Sequence, residues 1–187
     1  RVFRLFEGEP APAALDEFGG LSLLGGPMSV NDDWSALREG ERLVRDAICA
    51  GVPVFGHCLG GQLMSRALGG RVDPAPNAEI GWSEIDAEDH ALARHWLGRP
   101  RFPMFQWHNE TFTVPEGAQL IATGTHCRRQ AYAIGERHIA VQFHCEIAAF
   151  KIESWLNEAG AAEIECFVAS PGVHRPDVIR AATETRL

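Results

Sequence analysis

Apolar positions along this chain fall into short runs separated by glycine, proline and charged residues, and the spacing of those runs switches between two periods. Val2–Phe6, Leu21–Leu24 and Val52–Phe55 are short apolar stretches that predict strands. Between them Leu37, Val44 and Ile48 recur on one helical face, which predicts a helix over Trp34–Ala50 with Asn31, Asp32 and Asp33 as N-cap choices. A second helix is predicted over Leu59–Leu68, closed by the C-cap pair Gly69-Gly70. Strands alternating with helices predict an α/β fold, doubly wound, with a mostly parallel sheet covered by helices on both faces.

The middle of the chain changes character. Ile80–Ile85, Thr111–Val114, Gln119–Thr123, Gln130–Ile134 and His138–Phe143 are β-like runs broken by proline or glycine, which predicts a small antiparallel edge. From Ile147 to Ala169 the pattern turns helical, with Phe150, Trp155 and Leu156 as expected core contacts. Ser170-Pro171-Gly172 is a break, and Pro176 suits the first turn of a final helix. With no repeats, linkers or low-complexity segments, residues 1–187 read as a single domain.

Composition narrows the classes of function. The chain has 187 residues, 45% of them hydrophobic, enough to bury a sizeable core. Its 17 basic and 25 acidic residues give a net charge of −8, which argues against binding nucleic acid or an anionic membrane surface. No apolar run approaches the ~18 residues that span a bilayer. Five cysteines, at 49, 58, 127, 145 and 166, show no disulfide-like spacing and fit a reducing cytoplasm.

Two segments carry candidate chemistry. In Pro53-Val54-Phe55-Gly56-His57-Cys58-Leu59-Gly60-Gly61-Gln62 an apolar strand runs into a Gly-x-Cys-x-Gly turn followed by helix-forming sequence. That order matches a nucleophile elbow, in which a strained strand-to-helix turn lifts one side chain over the sheet. A cysteine at such a helix N-terminus is favoured as thiolate. In Ile139-Ala140-Val141-Gln142-Phe143-His144-Cys145-Glu146 a strand ends in a histidine and a carboxylate two residues apart, on one strand face. His144 then serves as base to Cys58, and Glu146 orients the imidazole. Taken alone, a cysteine at a strand end is more often core, a His-x-Glu at a strand end is ordinary surface, and Gly25-Gly26-Pro27 is a turn. It is the combination that carries the signal.

With Gly25-Gly26-Pro27-Met28-Ser29, the elbow Gly56–Gln62 and Val141–Glu146, the chain resembles the class I (triad) glutamine amidotransferases over roughly residues 1–156. Glu79-Ile80-Gly81-Trp82 and Gln106-Trp107-His108-Asn109-Glu110 bring it nearest to the stand-alone proteins similar to the glutaminase part of GMP synthase. The resemblance implies that Cys58 attacks the side-chain amide of glutamine, that His144 gives a proton to the leaving ammonia, and that water hydrolyses the γ-glutamyl thioester. It implies an oxyanion hole from the amides of Gly26 and Leu59, substrate contact by Gln62, and weaker pocket roles for His108 and Gln142. No cofactor or metal is implied. Expected partners are glutamine or a γ-glutamyl compound and a separate synthetase subunit that accepts ammonia.

The chain departs from the family pattern in three places. Cys145 stands where proline is common, keeping an amide donor and some backbone freedom. His57 replaces an apolar residue, and reads as a packed or hydrogen-bonded histidine before a modulator of the site. Family members open with a strand and helix ahead of the segment matching Val2–Gly8, so a unit of about 25–40 residues is expected before Arg1.

Rival readings are weaker. His and Cys are adjacent at 57–58, 126–127 and 144–145, but neighbours on a strand face opposite ways and no zinc-ligand spacing occurs. The alternative functions are a stand-alone γ-glutamyl peptide or amide hydrolase and, from another class, a catalytically idle binding or regulatory subunit. A same-fold chaperone or protease lacks the Gln-Phe-His-x-Glu strand.

Overall fold

The computed structural model describes residues 1–157 and 160–187. Its strands are β1 (Leu21–Leu23), β2 (Val54–His57), β3 (Val72–Ala87), β4 (Arg101–Phe112), β5 (Gln119–Gly124), β6 (Ala131–Ile134), β7 (His138–Val141) and β8 (Gly172–Val173). The helices are α1 (Ser35–Cys49), α2 (Leu59–Ala67), α3 (Ala91–Leu97), α4 (Ala149–Asn157), α5 (Gly160–Cys166) and α6 (Pro176–Arg186). Among the described residues one sheet has the order β1-β2-β7-β6-β5-β3-β4, with β8 beside β3. β1, β2 and β7 run parallel, while the β7-β6-β5-β3-β4 portion is antiparallel.

Strand alternation assigns each residue to a face. Val54, Tyr132 and Ala140 point to one side, where Leu37, Val44, Leu63 and Met64 of α1 and α2 cover them. Phe55, Ala131, Ile139 and Val141 point to the other, toward α3 with its buried Ala93 and half-buried Trp96. Each large side chain buried here contributes about 1.5–3 kcal/mol. Tyr132 serves both packing and positioning. Its ring meets Phe112 edge-on at 5.0 Å, and its hydroxyl donates to the Gly61 carbonyl at 3.2 Å, which ties the first turn of α2 to the sheet. A third cluster, with Ile80, Trp82 and Phe105 against Ile152, Leu156 and Ile179, seats α4 and α6 on the antiparallel β3–β4 pair.

The structure corrects several expectations. Val2–Phe6 is not a strand: Leu5–Glu7 is a 3₁₀ turn closed by Gly8 in the left-handed region. Arg4 takes its partners locally, its amide donating to Glu9 Oε2 and its carbonyl accepting from the Glu7 and Glu9 amides. The N-cap of α1 is Trp34, because Asp32 is spent on a turn in which it accepts from the Ser29 amide. Phe150 is 79% exposed rather than in the core. Ile152 and Leu156, four apart, take the inward face of α4, and Phe150 lies on the opposite one.

The helical run Ile147–Ala169 divides into α4 and α5, and its positions 158–159 lie outside the described residues. α3, β8 and the first ten residues of β4 had no counterpart in the pattern reading. Pro176 does open α6, at its first turn. No described helix is long and apolar enough to cross a membrane.

Candidate active site

The site is built where β2 ends and α2 begins. Cys58, between them, has φ 52° and ψ −118°, the one positive φ outside glycine among the described residues. A side chain held in that sparsely populated region is the strain expected of an elbow. The turn is tight: a Cβ on Gly56 would sit 2.5 Å from the Gly60 carbonyl oxygen, so nothing larger than glycine fits. The Cys58 amide donates to the Val141 carbonyl at 2.9 Å, fixing the elbow to the end of β7.

The chain leaving β7 then turns across the sheet. Its Gln142 amide donates to Gln130, and its His144 amide donates to the Phe105 carbonyl at 2.8 Å, anchoring the imidazole between β4 and the elbow. Trp155 meets the His144 ring edge-on at 5.1 Å. His144 Nδ1 lies 2.8 Å from Glu146 Oε1. Its Nε2 is buried and makes no hydrogen bond to the described residues. Burial alone would push the imidazole pKa down. The neighbouring Cys58 and Glu146 side chains outweigh that and hold it up at about 10. Burial likewise pushes Glu146 up, and the His144 contacts overcome it to lower its pKa.

The Gly25-Gly26 turn closes the top. A Cβ on Gly25 would stand 3.2 Å from His144 Cε1 and 3.5 Å from Cys58 Cβ, and one on Gly26 would stand 3.0 Å from Leu59 Cδ2. The turn after β1 therefore lies against both side chains. The Leu59 amide opens α2, where no intrahelical acceptor exists for it. Trp107 presents its carbonyl 3.8 Å from Cys58 Sγ.

Gln62 is buried one turn into α2, its amide donating to the Glu110 carbonyl at 3.2 Å and facing Gln142 Oε1 at 3.5 Å. Gln142 is fully buried with its own Nε2 unpartnered. His108 is committed elsewhere: Nε2 lies 3.1 Å from Glu79 Oε2 and Nδ1 lies 3.0 Å from the Glu110 carbonyl. Sequence reasoning did not anticipate the buried network this belongs to. Gln130 donates to Glu79 at 2.7 Å, Gln106 donates to Gln130 at 3.0 Å, and Ser29 donates to Glu110 at 3.0 Å. Polar residues on the inward positions of strands were the available signal. His57 is buried beside Phe55, with Nδ1 3.3 Å from Glu146 Oε2; Cys145 is exposed.

A family model described as Glutamine amidotransferase class-I matches residues 6–154. The chain belongs to this family. Among curated relatives of this amidotransferase, the glutamine amidotransferase-like protein YfeJ of Salmonella typhimurium is 30% identical over 165 residues, covering 83% of this chain and 68% of that protein. The GMP synthase [glutamine-hydrolyzing] of Pediococcus pentosaceus is 34% identical over 130 residues, which are 68% of this chain and 24% of that one. The chain thus spans about a quarter of the GMP synthase it matches. A glutamine amidotransferase structure from Methylobacillus flagellatus superposes with a TM-score of 0.93 at 38% identity, covering 100% of this amidotransferase and 76% of that chain. One from Thermotoga maritima gives 0.82 at 27% identity, covering 98% and 77%.

Proposed function

We propose that this amidotransferase hydrolyses the side-chain amide of glutamine through a covalent γ-glutamyl thioester on Cys58. The observation that carries the reading is the strained Cys58 turn with the His144–Glu146 pair held beside it from the end of β7. The Cys58 sulfur attacks the amide carbon, and the carbonyl oxygen becomes an oxyanion. The amides of Leu59 and Gly26 receive it, each such donor being worth about 3 kcal/mol. His144, which keeps its proton through the neutral range, gives it to the leaving nitrogen as the C–N bond breaks and ammonia departs. The neutral imidazole then takes a proton from water, whose oxygen attacks the thioester and frees glutamate and the thiol. Glu146 holds the imidazole tautomer throughout, and Gln62 contacts the bound glutamine with the fully buried Gln142 behind it.

The likeness to GMP synthases supports ammonia delivery to an acceptor on a synthetase partner. Release of glutamate from glutamine, measured for the full chain and for Cys58→Ala, tests the chemistry: turnover in the parent and none in the variant is expected. Equal turnover in both overturns the nucleophile. A preference for γ-glutamyl peptides over glutamine replaces the ammonia-donor reading with a stand-alone hydrolase. A chain that neither turns over nor forms a thioester, alone or with a synthetase, is an idle subunit.

A further inference from the structure

Glu146 has two neighbours of the same kind. Its Oε1 reaches His144 Nδ1 at 2.8 Å and its Oε2 reaches His57 Nδ1 at 3.3 Å. The two contacts differ in quality. The first is a hydrogen bond, whereas His57 Nδ1 makes none, although its side chain is only 4% exposed. That buried nitrogen, 3.3 Å from a carboxylate oxygen and without a hydrogen bond, is an unpartnered polar atom of the kind an ion would satisfy. The three side chains offer ligand atoms all within 4.8 Å of one another.

We propose that His57, His144 and Glu146 form a zinc site, and that occupying it switches the amidotransferase off. Two histidines and one carboxylate are the ligand set of an open tetrahedral zinc centre, with water in the fourth position. Zinc bonds to nitrogen and oxygen of 2.0–2.2 Å put tetrahedral ligand atoms about 3.4 Å apart. His57 Nδ1 already stands about that far from Oε2, and the shorter His144 Nδ1 contact, made to the other oxygen Oε1, opens as its shared proton leaves. Both rings are fixed, His57 against Phe55 at 5.3 Å between centroids and His144 against Trp155 at 5.1 Å. The Glu146 side chain is 43% exposed, which gives the ion and its water a route in. The buried Glu79, His108 and Cys127 group offers no such route.

Coordination is balanced by one proton. Zinc takes the Nδ1 lone pair of His144, the Nδ1 proton passes to solvent, and the Nε2 proton stays. Glu146 is then bound to the metal, and His144 is no longer the imidazolium that protonates ammonia in the function proposed above. The site itself does not depend on that reading; the inhibition does.

Zinc chloride titrated into the full chain against a chromogenic zinc chelator measures binding without reference to activity. Parent and Cys58→Ala are each expected to bind one ion, Cys58→Ala at least as tightly as the parent because His144 then gives up its proton more easily, and His57→Leu to bind at least tenfold more weakly, about 1.4 kcal/mol. Cobalt(II) in place of zinc should give no thiolate charge-transfer band. His57→Gln, of similar size and without an imidazole, separates lost ligation from misfolding when its thermal melt matches the parent. Unchanged affinity in both His57 variants overturns the site. So does affinity lost in Cys58→Ala with a thiolate band, which places the metal on the sulfur side. Glutamine turnover inhibited by zinc in the parent, and at higher zinc in His57→Gln, links the site to regulation. Zinc binding in a chain that never turns over glutamine leaves the site standing and removes the function.

Discussion

Gly60→Ala tests whether the elbow is held by backbone contact between α2 and β1. A Cβ at position 60 would lie 2.1 Å from the Leu23 carbonyl oxygen and 2.6 Å from its carbon, both main-chain atoms of β1 that cannot swing aside. Bringing that oxygen to the 3.0 Å below which Cβ contacts are essentially never found requires 3.0 − 2.1 = 0.9 Å of separation between helix and strand. Overpacking of this kind costs about 1–3 kcal/mol. At about 2–4 °C per kcal/mol for a chain of this size, the melting temperature falls by roughly 2–12 °C. The same shift carries Cys58 and Leu59 away from the Gly25-Gly26 turn, and misplacement by about 1 Å costs about 100-fold in turnover. Gly19→Ala, whose added methyl has nothing within 4 Å, is the control. Thermal melts by circular dichroism and glutamate release on the same preparations read both effects. A Gly60→Ala protein that melts with the parent and turns over glutamine at its rate refutes the reasoning.

Three further outcomes are expected. In chelator-treated buffer, glutamine turnover falls on the alkaline side as pH passes about 10, where His144 loses its raised proton. Glu146→Gln removes one support of that shift and moves the limb to lower pH, and a pH–rate profile with the limb unmoved counts against the pairing. Glu79→Ala leaves the buried His108 Nε2 and Gln130 amide without their shared acceptor, costing about 1–3 kcal/mol for each in denaturant unfolding; an unchanged midpoint would show that the network carries no stability. Trp82→Phe deletes the 2.9 Å indole bond to Thr183 that pins α6 to β3, lowering stability by about 0.5–1.5 kcal/mol. Faster amide exchange in α6 than in α1 is the local readout.

Much of this protein was decided within short stretches of chain. The helix over Ser35–Cys49 follows from the spacing of Leu37, Val44 and Ile48. The strained turn at Cys58 follows from the glycines on either side of it, and the start of α6 from Pro176, because each depends on a few neighbouring residues. Where partners are far apart in sequence, the pattern was silent or misleading. Val2–Phe6 is apolar enough for a strand, yet a strand exists only where another offers it a free edge, and Arg4 bonds locally instead. Phe150 is hydrophobic, but Ile152 and Leu156 decide which face of α4 turns inward. Adjacent His–Cys pairs carry no metal spacing along the chain, because neighbours on a strand diverge. Parallel pairing of β2 with β7, His57 opposite Val141, is what brings His57 to the carboxylate of Glu146. Local sequence thus determined the strained cysteine and the elements around it. Only the long-range pairing of strands, whose register no short segment encodes, set the company that cysteine's histidine and glutamate keep.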